Sequence, residues 1–123
     1  VTPQGGLSLQ TTVITIPAHQ ITGWDSFHTV FKTVLGFPDF YGRNMNAWID
    51  CMTYLDDGMT SVSVEEGGLL ALRIDDAPDF QRRCPEQYEA LMESIAFVNF
   101  RSIERGGKPM VALMLSGWFS NPS

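Results

Sequence analysis

The sequence is short of the residues that chemistry at an active centre uses. Only two cysteines occur, Cys51 and Cys84. They are too few for a disulfide-built scaffold and show no Cys-x-x-Cys metal or redox spacing, so both are expected as reduced thiols. Only two histidines occur, His19 and His28. Neither has a Ser, Cys or carboxylate at a nucleophile or metal-ligand spacing, and each is expected to be a surface imidazole. The glycine pairs in Glu65-Glu66-Gly67-Gly68 and Arg105-Gly106-Gly107-Lys108 do not open a helix after a strand, which excludes a phosphate-cradling loop. Long apolar runs are absent too: Val111 to Leu115 falls far short of the roughly 20 residues of a membrane-spanning helix. Val1 to Gly6 has neither the basic start nor the apolar stretch of a secretory signal, so a cytoplasmic location is expected, with no membrane association and no cofactor.

Positive charge is scarce, with 8 Lys and Arg against 14 Asp and Glu and a net charge of −6. The imbalance is concentrated. From Asp39 to Asp79 nine acids face only Arg43 and Arg73, whereas the rest of the chain carries five acids and six bases. One region should therefore project a negative field that repels nucleic acid and attracts cationic partners. The 123 residues, 44% of them apolar, suffice for one core, and residues 1–123 are expected to form a single domain.

The pattern along the chain alternates strands and helices. Leu7 to Ile16 contains the β-branched run Thr-Thr-Val-Ile-Thr-Ile before Pro17 and predicts a strand. Phe27, Val30, Phe31, Val34 and Leu35 predict a helix over about Ser26 to Leu35, capped by Asp25 and ended by Gly36 and Pro38. A second helix is predicted from Asn44, its N-cap, to about Leu55. On the wheel, Met45, Trp48, Cys51, Met52 and Leu55 share one face. Asn46, Asp50, Thr53 and Asp57 fall within about 60° of each other on the other, with Ile49 at the margin. Alternation in Thr60 to Val64, the turn at Glu65 to Gly68 and the apolar Leu69 to Ile74 predict a β-hairpin. After a loop over Asp75 to Asp79 and a short turn at Phe80 to Arg83, a helix begins at Pro85. Tyr88, Leu91, Met92, Ile95 and Val98 form its buried stripe, and Gly106-Gly107 stops it before a last strand, Met110 to Ser116. Such an order predicts an α/β fold with parallel strands.

The run from Phe37 to Met52, Phe-Pro-Asp-Phe-Tyr-Gly-Arg-Asn-Met-Asn-Ala-Trp-Ile-Asp-Cys-Met, resembles the signature of the barstar family of intracellular ribonuclease inhibitors. The shared features are a Pro, an acid, an aromatic pair, Gly-x-Asn, and a helix with Ala and an Asp-Cys pair. A looser likeness extends over Leu7 to Ser116. The resemblance implies a small three-stranded parallel sheet with helices, here with the extra hairpin near residues 60–74. It also implies that the second helix and the loop before it plug a ribonuclease active site with carboxylates. By position, the implied partner-binding residues are Phe40, Tyr41, Asn44, Asn46, Ile49, Asp50 and Thr53, with Asp50 as the central carboxylate and Glu104, near the end of the last helix, as a further acidic contact. This sequence departs from the pattern in having Asn46 for an Asp, Ile49 for an exposed Trp, Phe40 for Tyr and Arg43 in the loop. Such changes should alter partner choice.

The expected function is therefore that of an immunity protein for a ribonuclease toxin, with no catalysis of its own. The alternative is a barstar-like module that binds a different toxin or cellular protein. A third reading, a small magnesium-dependent hydrolase, rests on Asp75 and Asp76 following a parallel strand, where ligand sites of open α/β sheets lie.

Overall fold

The computed structural model describes residues 10–62 and 64–119. Strand β1 spans Thr11–Thr15, followed by helices α1 (Trp24–Leu35) and α2 (Met45–Thr53), strand β2 (Leu69–Ile74), helices α3 (Ala77–Arg83) and α4 (Pro85–Glu104), and strand β3 (Val111–Leu115). The three strands form one parallel sheet in the order β1-β2-β3. The four helices pack against it.

Register decides which side chains meet the helices. Ile14 lies opposite Leu72, which lies opposite Leu113, and Thr12, Leu70 and Val111 form the row beside it. Successive strand residues face opposite ways, so this apolar row looks toward the helices while Thr11, Val13 and Thr15 stay exposed. Phe27, Phe31 and Trp48 fill the space above, with Phe31 and Trp48 edge-to-face at 5.6 Å between ring centroids. Helix α4 packs against α2, α3 and β3. Asn99 fastens it to β3, where its amide NH2 donates to the Val111 carbonyl and its Oδ1 accepts from the Met110 and Val111 amides. Among the described residues no helix is long and apolar enough to cross a membrane.

Several boundaries differ from the sequence expectation. The first strand begins at Thr11; of the predicted extension, Leu7 to Leu9 lie outside the described residues. Helix α1 starts at Trp24, and its cap is not Asp25. Instead the Ser26 hydroxyl accepts from the Thr22 and Gly23 amides, satisfying the helix start from inside the first turn. Helix α2 stops at Thr53 and a 3-10 turn, Leu55–Asp57, follows. The predicted loop and turn over residues 75–83 are in large part helix α3, which opens with Pro78 in its first turn.

Among the described residues the predicted hairpin is absent, because β2 is the central strand and both its edges are taken by β1 and β3. An antiparallel strand from Thr60 to Val64 has no edge left to pair with. That segment is tied to the end of α1, where the Ser61 amide donates to the Leu35 carbonyl. Gly36 allows the approach. Its φ of +67° is left-handed, and a Cβ there would sit 1.8 Å from the Ser61 hydroxyl oxygen. Val62 and Val64 do pack against the core, so their alternation marks burial without a strand.

Candidate functional site

Helix α2 and the loop Phe37–Asn44 place most of the residues named above on one side of the molecule. Asn44 is extended and caps the helix, its side-chain oxygen accepting from the Ala47 amide at 2.8 Å. The core face then follows from the wheel: Trp48, Cys51, Met52 and Leu55 are buried, and Met45 is partly so. Asn46 and Asp50 are exposed on the opposite face and Ile49 is half-buried between them. Phe40, 77% exposed, stands out from the loop before the helix. An apolar ring held in solvent is a typical anchor for a partner pocket.

Two of the expected contact residues are not on this surface. Thr53 is 1% exposed, and its hydroxyl donates 2.6 Å back to the Ile49 carbonyl, which removes its polarity from the stripe and lets it enter the interior. Tyr41 is also buried. Its ring packs on Phe37 and its hydroxyl bonds Nδ1 of His28. Both residues support the site from beneath. Glu104 is exposed as the last residue of α4, the helix that packs against α2. A cleft lined by Thr53, Asp56 and Asp57 on one wall and Ser102 and Arg105 on another joins the ends of the two helices.

The surface expectation for His28 is corrected by the same contact. His28 is 4% exposed, stacked on Trp24 and wedged against Phe27. The sequence carried a signal for this, since Trp24, His28, Phe31 and Leu35 lie at helical i, i+4, i+7, i+11 spacing. Burial, and then the nearby Arg43 guanidinium, hold its pKa below the ordinary 6.5, opposed by Asp25. The unfolded chain therefore takes up a proton near pH 6.5 that the folded His28 accepts only at lower pH, and stability must fall as the pH drops below 6.5. Denaturation at pH 7 and pH 5 should show this decline, and the pH-independent amide in His28→Gln should reduce it. An equal decline in the variant would remove His28 as the cause. His19, by contrast, is exposed as expected.

The thiols follow the core reading. Cys51 and Cys84 are both free and buried. Burial, together with the Asp50 charge, pushes the Cys51 thiol up to about 11, so it stays protonated at neutral pH.

The electrostatics of the region are one-sided. Asp39, Asp50, Asp56 and Asp57 make no ion pair among the described residues. Farther along, Asp75 accepts from Arg73 and from the Ser116 hydroxyl, and Asp79 accepts from Arg82 and Arg83, which holds both carboxyls below the usual range. Asp75 is thus engaged with a cation from β2, the strand just before it. No group of three or more His, Cys, Asp or Glu converges on a metal-sized site among the described residues. The arrangement that remains is a rigid helix with an unpaired carboxylate, an apolar loop tip and a surrounding negative field. It is suited to occupying a cation-lined site on another molecule.

The chain matches the model of one protein family, described as Barstar (barnase inhibitor), over residues 11–113. No curated protein matches it.

Proposed function

The chain belongs to the barstar family, and from that premise we propose that it is an immunity protein that binds a ribonuclease toxin and blocks its active site. The observation that carries this is the exposed carboxylate of Asp50, which makes no ion pair among the described residues and lies in the middle of α2 on the face opposite Trp48. A ribonuclease site is lined with cations that bind phosphate, and a carboxylate on a rigid helix gains charge-assisted hydrogen bonds there. In this reading Asn46, Ile49, Phe40 and Asn44 add neutral contacts to that of Asp50, and Glu104 adds an acidic contact from α4. The reading places the protein in the cytoplasm as one domain, with no cofactor, and with a protein rather than a nucleic acid as its partner.

A neighbouring reading is a barstar-like module for a toxin or cellular protein that does not cleave RNA. The specific features that favour it are Asn46 and Ile49, which leave α2 with one carboxylate, Asp50, and an aliphatic anchor. Affinity capture with the purified protein separates the two, followed by an RNA-cleavage assay of what is captured. A captured nuclease silenced by stoichiometric inhibitor supports the first reading. A captured protein that cleaves no RNA replaces it with the second.

The field around α2 makes a further expectation. Association with the partner should slow by about tenfold or more between about 0.05 M and about 0.5 M salt, because the unpaired acids act over distances that salt screens. Stopped-flow association rates test it. A salt-independent on-rate would exclude steering by these charges.

A further inference from the structure

We infer that Arg43 is a positioning residue of the partner-binding loop, a latch that ties the loop to α1 and so fixes where Asn44 and α2 begin. The inference rests on the inhibitor reading above and concerns how that surface is held in shape. Arg43 has a φ of +54°, a left-handed conformation that side chains other than Gly, Asn or Asp rarely adopt. Such a backbone persists when surrounding contacts over-determine it. Here one guanidinium nitrogen, Nη2, reaches the Asp25 backbone carbonyl at 2.9 Å, the Asp25 carboxylate at 2.8 Å and the Thr29 hydroxyl at 2.9 Å. All three acceptors belong to α1.

Two residues earlier, Tyr41 bonds His28, also on α1. The run Tyr41-Gly42-Arg43 is therefore anchored to α1 at both ends, and the next residue, Asn44, caps α2. The same pairing answers an electrostatic problem. A free positive charge in this loop would repel a cation-lined active site, but Asp25, with its side chain 96% exposed, neutralises it at the surface. Arg43 thus orders the loop without offering its charge to the partner.

The test uses the full chain in three variants, Arg43→Gly, Asp25→Ala and the double. Glycine suits the left-handed backbone, so Arg43→Gly removes the latch without adding strain. Amide exchange is read at Tyr41 and Ala47, which donate to Pro38 and to the Asn44 side chain, and at Leu70 in the sheet as a control. Arg43→Gly should speed exchange at Tyr41 and Ala47 by about tenfold, Asp25→Ala by less because the Asp25 carbonyl and the Thr29 hydroxyl still accept from Arg43, and neither should change Leu70, with the double no faster than Arg43→Gly. Unchanged exchange in Arg43→Gly overturns the latch.

Affinity is read with barnase as the probe. The latch predicts losses of about three- to tenfold in Arg43→Gly and in the double variant, and a smaller loss in Asp25→Ala. If Arg43 instead touched the partner, Asp25→Ala would free it and leave binding unchanged or altered in the opposite sense to Arg43→Gly, which also overturns the assignment. Asp50→Ala, run beside them, should lose binding and keep wild-type exchange. Failure of that arm alone counts against the inhibitor reading, whereas failure of the exchange arm counts against the latch.

Discussion

Asp50→Ala should weaken partner binding by roughly 30-fold or more, about 2 kcal/mol, with the fold intact. Asp50 is exposed in mid-helix and makes no ion pair among the described residues, so its removal takes nothing from the core. Alanine is the better helix former, and stability should stay within about 0.5 kcal/mol of wild type. In the complex the balance is different. Deleting the carboxylate leaves the partner's cations dehydrated and unpaired, and that penalty is what a truncation at the centre of an interface measures. Asp56 and Asp57 are the comparison. They sit in the 3-10 turn after α2, beside Gly58 with its φ of +80°, exposed and hydrated. Either one replaced by alanine should slow association slightly and change the dissociation constant by less than about threefold. Dissociation constants for the three variants, with thermal unfolding as control, decide the matter. If Asp50→Ala binds within about threefold of wild type, α2 does not plug a cationic site.

The contrast between Asp50 and Thr53 shows what the sequence could and could not reveal about the site. Periodicity placed both on one stripe of α2, and for Asn46 and Asp50 that placement holds. Thr53 leaves the stripe because its hydroxyl can satisfy itself on the Ile49 carbonyl one turn back, an option a carboxylate lacks. Burial of Tyr41 depends on His28, thirteen residues away in another element, and the latch depends on an arginine and an aspartate eighteen residues apart. Local pattern carries no information about such pairings.

The fold was legible wherever an element's own pattern sufficed. The parallel order, the Asn44 cap, the start of α4 at Pro85 and the last strand all follow from short-range signals. The hairpin failed for a reason outside its own residues. Whether Val62 and Val64 form a strand depends on a free edge of β2, and β1 and β3, elements distant in sequence, occupy both. The loop predicted over Asp75 to Asp79 and the short turn over Phe80 to Arg83 are largely helix α3, where Pro78 at the helix start lacks only an amide that would be unpaired there.

Trp48→Ala should cost about 3–5 kcal/mol, the largest stability loss of any single change on α2. Trp48 is fully buried, meets Phe31 edge-to-face and joins α2 to the core above the sheet. Truncation removes the indole's contacts and leaves a cavity that the aromatic cluster cannot close without shifting. Trp48→Phe should cost much less. The indole N–H is buried with no acceptor among the described residues, so phenylalanine loses volume but also removes an unsatisfied donor worth about 1–3 kcal/mol. Thermal unfolding should show a midpoint drop of roughly 10 °C or more for alanine and only a few degrees for phenylalanine. A drop of similar size for both would mean the N–H is satisfied, and a small drop for alanine would mean Trp48 does not hold the helix. The same variant links stability to binding. Because Asp50 lies on the opposite face, Trp48→Ala keeps the binding groups but populates conformations in which α2 is loose, and a partner that binds only the ordered helix must raise its midpoint. That rescue should shrink by about 2 kcal/mol when Asp50→Ala is added to Trp48→Ala. Rescue undiminished in the double variant would place the dominant contact somewhere other than α2.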